Sequence, residues 1–283
     1  MSMMNSNKIL KSSNISNTGG ISMSLNQFFD LTGKTAIVPG GGSGLGRQMA
    51  IALAKAGATV VVGSRRLEVC ENVVKEIETL GGQAFALELD VTDPESVGQA
   101  VEKVISQFGR IEILVNASGV AYEIPATEMP VKEWQVMIDT NLTGTFLMCQ
   151  AVGRHMIENK YGKIINVSST VATRGTDPEV VDSVGYAASK GAVNTLTKDL
   201  AVKWARHGLT VNAIAPGIMT TGMNDPQVEG TLANKLGGEG SKTPSRRLGG
   251  DNDIAGAVIY FASASSDYCN GNILGIDGGL GAK

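Results

Sequence analysis

Thr35-Ala36-Ile37-Val38-Pro39-Gly40-Gly41-Gly42-Ser43-Gly44-Leu45-Gly46-Arg47 is the stretch from which the rest of the chain can be read. A β-branched run enters a glycine-rich turn, and the turn leads directly into apolar residues at helical spacing. Glycine lets the backbone turn sharply and lie close to a ligand. The first N–H groups of the following helix, at the positive end of its dipole, suit a pyrophosphate. Gly40, Ser43, Gly44, Leu45 and Gly46 are therefore expected to hold a dinucleotide. The spacing is GxxxGxG rather than the GxGxxG of the general fingerprint, so its weight comes from its place after the first strand.

Outward from this turn, short β-branched runs recur at Thr35–Val38, Thr59–Val62, Ala84–Leu89, Ile111–Val115, Lys163–Val167, Leu209–Ile214 and Ile273–Ile276. Helical patterns lie between them near 45–56, 67–80, 94–108, 130–158, 185–206 and 253–263. Strand–helix alternation implies an α/β fold: one Rossmann-type, doubly wound parallel sheet of about seven strands with helices on both faces. The least regular segments, 119–129, 170–183 and 221–250, are the candidate substrate loops.

A chain of 283 residues can bury a large core as one domain. Residues 1–26, rich in Ser, Asn and Met, read as a mobile tail, and Met23 opens a phrase that reads like an independent start; residues 27–283 form the expected domain. A formal net charge of -3 with 18% charged residues argues against a nucleic-acid partner. Cys70, Cys149 and Cys269 make no CxxC pair and are joined by only His155 and His207, so neither a metal site nor a disulfide framework is expected. No apolar run of membrane-spanning length occurs, and the expected setting is the cytoplasm, without a membrane partner.

The end of the second strand selects the dinucleotide. Where a carboxylate would bind the ribose hydroxyls of NAD, this chain has Gly63-Ser64-Arg65-Arg66. Guanidinium groups bind phosphate by charge-assisted, often bidentate hydrogen bonds, so Ser64, Arg65 and Arg66 point to the 2′-phosphate of NADP(H).

Tyr186 and Lys190, in Tyr-Ala-Ala-Ser-Lys, share one helix face a turn apart. An ammonium beside a phenol favours the phenolate, and bringing a Tyr from about 10 towards neutrality takes roughly 4 kcal/mol. Such a Tyr can exchange a proton with a substrate oxygen while hydride moves to or from the cofactor. Ser168 and Ser169 end the fifth strand, and side-chain alternation lets only one of them face the crevice.

Together these residues resemble the short-chain dehydrogenase/reductase family from about Phe29 to Gly279. The glycine turn, Asp90-Val91, Asn116-Ala117-Ser118-Gly119, Asn141, Ser169, Tyr186, Lys190, Pro216-Gly217 with Thr221, and Asp277-Gly278-Gly279 all fall in family order. The resemblance implies that Tyr186 is the acid/base, Lys190 lowers its pKa and binds the nicotinamide ribose, Ser169 polarises the substrate oxygen, and Asn141 organises a relay water. It also places Asp90 and Val91 at adenine, Asn116, Ala117 and Ser118 beside the cofactor, and Pro216, Gly217, Ile218 and Thr221 around the nicotinamide. A homotetramer acting on a small carbonyl or alcohol substrate is implied as well.

The sequence departs from the family pattern in three places. Pro39 stands where a Thr is usual, Ala117 where a second Asn is usual, and the Ser169 to Tyr186 interval of 17 residues is longer than in many relatives. Pro39 and Ala117 are expected to be neighbours whose changes compensate. Phe29-Asp30-Leu31-Thr32-Gly33-Lys34 and Lys242-Thr243-Pro244 resemble bacterial 3-oxoacyl thioester reductases and gluconate 5-dehydrogenases. The expected activity is NADP(H)-dependent ketone–alcohol interconversion, with a 3-oxoacyl thioester ahead of a keto-sugar acid. A dinucleotide-binding sensor without turnover is the reading from another class.

Overall fold

The computed structural model describes residues 24–178, 181–220 and 243–282. Seven strands, β1 (Thr35–Pro39), β2 (Thr59–Ser64), β3 (Gln83–Glu88), β4 (Ile113–Asn116), β5 (Gly162–Val167), β6 (Leu209–Pro216) and β7 (Ile273–Ile276), form one sheet in the order β3-β2-β1-β4-β5-β6-β7. Every adjacent pair is parallel. The helices are α1 (Leu25–Phe29), α2 (Gly44–Lys55), α3 (Leu67–Thr79), α4 (Pro94–Phe108), α5 (Val131–Ile138), α6 (Gly144–Glu158), α7 (Val184–Trp204) and α8 (Asp251–Ala262).

The inner strands β1, β2, β4, β5 and β6 are buried along both faces because both are covered, whereas the edge strands β3 and β7 are partly exposed. Ala36 and Val38 pack into a core with Met49 and Leu53 of α2, Val73 and Ile77 of α3, and Ile254, Val258 and Phe261 of α8. Ile37, the residue between them, enters the opposite core with Val101 of α4, Val152 and Met156 of α6, and Leu200 of α7. Val60, Val61 and Val62 divide between the two faces in the same way. The sequence therefore specifies the double-wound architecture residue by residue.

Three boundaries differ from the sequence reading. The tail was expected to run to residue 26, but α1 begins at Leu25, because Ser24 and Gln27 form a reciprocal capping box that organises its first turn. Residues 1–23 lie outside the described residues. Pro39 extends β1 by one residue: it has no N–H, yet its carbonyl accepts the Ala117 amide at 3.0 Å. The helical pattern over 130–158 contains a five-residue π turn, Asp139–Thr143, between α5 and α6. No helix among the described residues is long and apolar enough to cross a membrane.

Candidate active site

Strand order reverses between β1 and β4, since the chain proceeds from β1 to β2 on one side and later returns to β4 on the other. Ligands of such sheets bind in the crevice at the carboxyl ends of these strands. The glycine turn follows β1 here, and Asn116-Ala117-Ser118-Gly119 follows β4. Gly40 has φ +80°, and a Cβ on it would lie 2.5 Å from the Ser118 amide nitrogen. A Cβ on Gly46 would strike the Gly40 carbonyl. The turn thus closes against the β4 loop only with glycine at these positions. Ser43 precedes α2 without a side-chain cap hydrogen bond, so the helix presents its first amides uncapped.

Pro39 and Ala117 meet where the sequence placed them, through their 3.0 Å backbone bond. The polar side chains usual at both positions are absent together, and losing both partners of a hydrogen bond costs far less than losing one. Pro39→Thr alone is expected to change melting temperature and cofactor affinity while leaving turnover at saturating cofactor within about twofold, because its hydroxyl meets no amide on Ala117. Thermal melts, cofactor titration and saturated rates of P39T and of P39T/A117N check this. A large gain in saturated turnover from P39T would contradict it.

At the end of β2, Arg65 and Arg66 are exposed. Neither forms an ion pair among the described residues. Arg66 precedes α3, where a cation is unfavourable unless an anion is near. The Ser64 hydroxyl is engaged within the turn, donating to the Arg66 carbonyl at 2.9 Å and receiving the Cys70 thiol at 3.2 Å. Asp90 accepts the Thr92 amide and hydroxyl at 2.9 and 2.7 Å. Burial opposes ionisation of its carboxyl, but these bonds and the Arg65 charge together hold its pKa below the ordinary value. Val91 is buried against Gly144 at the start of α6.

Asn116 ends β4 at the crevice, and its side chain turns away from the glycine turn. Its side-chain amide donates to Asn166 at 2.9 Å and to Cys149 of α6 at 3.2 Å, so it is directed into the layer between sheet and helix. Ala117 and the Ser118 backbone instead form the wall opposite Gly40. Beyond β6, the Gly217 amide donates to Ile276 at 2.9 Å and the Ile218 carbonyl accepts from Gly249 at 3.0 Å, which brings Pro216–Ile218 to the end of β7. Thr221 lies outside the described residues.

The chemical residues converge at the ends of β5 and α7. Ser169, rather than Ser168, is the one beside the Tyr186 phenol; Ser168 faces back to the Lys190 carbonyl at 3.4 Å. Lys190 is buried, its ammonium donates to the Val167 carbonyl at 2.7 Å, and it lies 5.7 Å from the centre of the Tyr186 ring. An ammonium has three donors, which leaves two for a ribose.

Burial pulls Lys190 down to about 8 and pushes the Tyr186 phenol above its ordinary pKa, an effect the Ser169 hydroxyl partly offsets. Burial, rather than the expected influence of Lys190, sets the direction of the Tyr186 shift in the protein alone.

Asn141 sits in the π turn, completely buried. Its side chain is fully committed: Oδ1 accepts the Val120 amide at 2.8 Å, and Nδ2 donates to the Val120 carbonyl at 2.9 Å and to Ser189 Oγ at 3.0 Å. A relay water would have to use its main-chain carbonyl, which already accepts the Thr145 hydroxyl at 2.7 Å.

Ser189 was given no role from sequence, although it lies within Tyr-Ala-Ala-Ser-Lys. Its hydroxyl accepts from Asn141 and donates to the Tyr186 carbonyl at 2.8 Å, joining the π turn to the catalytic turn of α7. Ser189→Ala removes the acceptor of one buried Asn141 N–H and one donor to the Tyr186 carbonyl, and is expected to destabilise the fold by about 1–3 kcal/mol. Equilibrium unfolding in urea measures this, and unchanged stability would show that the bridge carries no weight.

The residues present fit a phosphorylated dinucleotide: an uncapped helix start, a glycine turn held against the β4 loop, and two exposed cations at the end of β2 that form no ion pair among the described residues. A buried Lys and a Tyr–Ser pair stand at the nicotinamide end. This fold and site belong to the short-chain dehydrogenase/reductase family, whose short chain dehydrogenase model matches residues 34–231, and the chain is an oxidoreductase of the kind that acts on CH–OH groups. Among curated relatives, 5-keto-D-gluconate 5-reductase of Escherichia coli K12 is 38% identical over 256 residues, covering 90% of this chain and 98% of the relative. The 3-oxoacyl-[acyl-carrier-protein] reductase of Thermotoga maritima is 36% identical over 250 residues, covering 88% and 98%. A solved gluconate 5-dehydrogenase from Burkholderia cenocepacia J2315, in complex with NADP and tartrate, superimposes with a TM-score of 0.84 at 35% identity, covering 91% of this chain and 99% of that one.

Proposed function

We propose that the protein interconverts a ketone and a secondary alcohol of a polyhydroxy acid, using NADP(H). The convergence of Ser169, Tyr186 and Lys190 at the carboxyl ends of the strands carries the reaction class. Exposed Arg65 and Arg66 at the end of β2, without an ion pair among the described residues, support the phosphorylated cofactor. The substrate class rests on the relatives. Sugar-acid enzymes of several organisms, 36–38% identical, stand beside a 3-oxoacyl reductase of 36%, and they support placing the keto acid ahead of the thioester.

In ketone reduction, the bound nicotinamide supplies the hydride. Ser169 donates a hydrogen bond to the substrate oxygen, and Tyr186 delivers the proton to the alkoxide as its charge develops. Lys190 holds the ribose and keeps a positive charge near the phenol. Asn141 and Ser189 fix the turn of α7 that carries both.

The expectation of a homotetramer extends this proposal. Phe146 on α6 and Val202 on α7 are large apolar side chains, 40% and 81% exposed, that a subunit contact would cover. Sedimentation of the full chain tests it, a monomer being the contrary result. The activity is tested by following reduced-nicotinamide absorbance with NADPH or NADH against 5-keto-gluconate and a 3-oxoacyl thioester. NADPH-linked turnover of the keto acid is expected. Turnover of the thioester alone would restore the other substrate class, and tight NADPH binding without turnover of either would favour a sensor.

A further inference from the structure

Resting on the polyhydroxy-acid reading, we infer that Arg174 is the residue that recognises the carboxylate of the substrate. Its place follows from the catalytic residues. Ser169 Oγ accepts the Val171 amide at 3.4 Å and so starts the 3-10 turn Thr170–Ala172, which Thr173 closes by donating to the Thr170 carbonyl at 3.1 Å. This turn packs on α7, with the Ala172 carbonyl 3.7 Å from where a Cβ on Gly191 would stand, one residue beyond Lys190. Arg174 follows immediately.

From there the chain returns to Tyr186, pinned on the way by the Ile124 amide, which donates to the Asp182 carbonyl at 2.9 Å. Two of the three expected substrate segments, 119–129 and 170–183, thereby meet at the Ile124–Ser183 bridge, while residues 221–242 of the third, 221–250, lie outside the described residues. Arg174 belongs to a rim whose two ends carry the two catalytic hydroxyls.

The state of the side chain points to a ligand. Arg174 is half-buried, and its Nε–H is buried without a hydrogen-bond partner. It forms no ion pair among the described residues. It is the sole cation in segments 119–129 and 170–183, which carry Glu123, Glu128, Asp177, Glu179 and Asp182. A guanidinium whose root is enclosed and whose charge is uncompensated suits a planar anion held by two parallel hydrogen bonds.

With the reacting ketone fixed at Tyr186 and Ser169, the anion is a carboxylate a few carbons away on the same molecule. A 3-oxoacyl thioester offers no such group.

The test compares 5-keto-gluconate with its neutral carboxamide in the wild type, Arg174→Leu and Arg174→Lys, with NADPH binding measured separately by titration. Arg174→Leu is expected to lower kcat/KM for the acid by about 10–100-fold, mostly through KM, with less than about threefold change for the amide. NADPH affinity stays unchanged, and Arg174→Lys recovers part of the loss because it keeps the charge without the fork. Equal losses on acid and amide, or none on either, overturn the role of Arg174 alone. A wild type that turns over the thioester but not the keto acid overturns the substrate reading, and this inference with it.

Discussion

Tyr186→Phe is expected to lower turnover by about 10²–10⁴-fold, the range that follows removal of a positioned acid/base, while leaving NADPH affinity and stability close to wild type. The phenyl ring keeps the packing of the half-buried phenol, and no described backbone bond depends on its hydroxyl. Only the group that exchanges a proton with the substrate is lost.

The pH dependence carries a definite sign. Burial holds the Tyr186 phenol above its ordinary pKa. The protonated form required for ketone reduction therefore persists through neutral pH and is lost as pH rises through that value. Alcohol oxidation needs the phenolate and should accelerate over the same range. Steady-state rates in both directions across pH check this. A Tyr186→Phe enzyme retaining more than about a tenth of wild-type kcat would assign the proton to another group.

Arg65→Ala/Arg66→Ala is expected to raise the KM for NADPH by about 10²-fold or more while changing that for NADH only a few-fold, since each charge-assisted hydrogen bond to the 2′-phosphate is worth about 1.5–3 kcal/mol. Alanine is the informative choice. The Arg65 charge helps to lower the Asp90 pKa, and a glutamate at position 65 would add repulsion to that carboxyl. Initial rates with both cofactors give the answer, and a uniform loss for NADPH and NADH would reduce the arginines to a structural role.

Much of this was legible in the residues. Runs such as Thr59–Val62 form buried parallel strands because β-branched side chains pack on both faces of a covered sheet. The YxxxK spacing placed Tyr186 and Lys190 together because a helix turn leaves no alternative. The π turn around Asn141 was hidden because apolar spacing continues on either side of it, and a one-residue widening of the helix leaves little trace in periodicity. Ser189 was hidden because its bridge joins residues 48 apart, a relation only the tertiary fold creates. The balance of pKa values was hidden for a similar reason: spacing shows that an ammonium lies near a phenol, whereas desolvation depends on everything packed around both.

The loop from Ser169 to Tyr186 begins and ends at catalytic hydroxyls, yet neither hydroxyl depends on its length, since β5 positions one and α7 the other. Closing a longer loop between fixed ends costs only about 0.6 kcal/mol per doubling of length. On the proposed function, substrate choice in this scaffold falls to an exchangeable cassette. Insertions or grafts between Thr173 and Asp182 can redraw what the enzyme accepts while the hydride and proton chemistry is inherited intact.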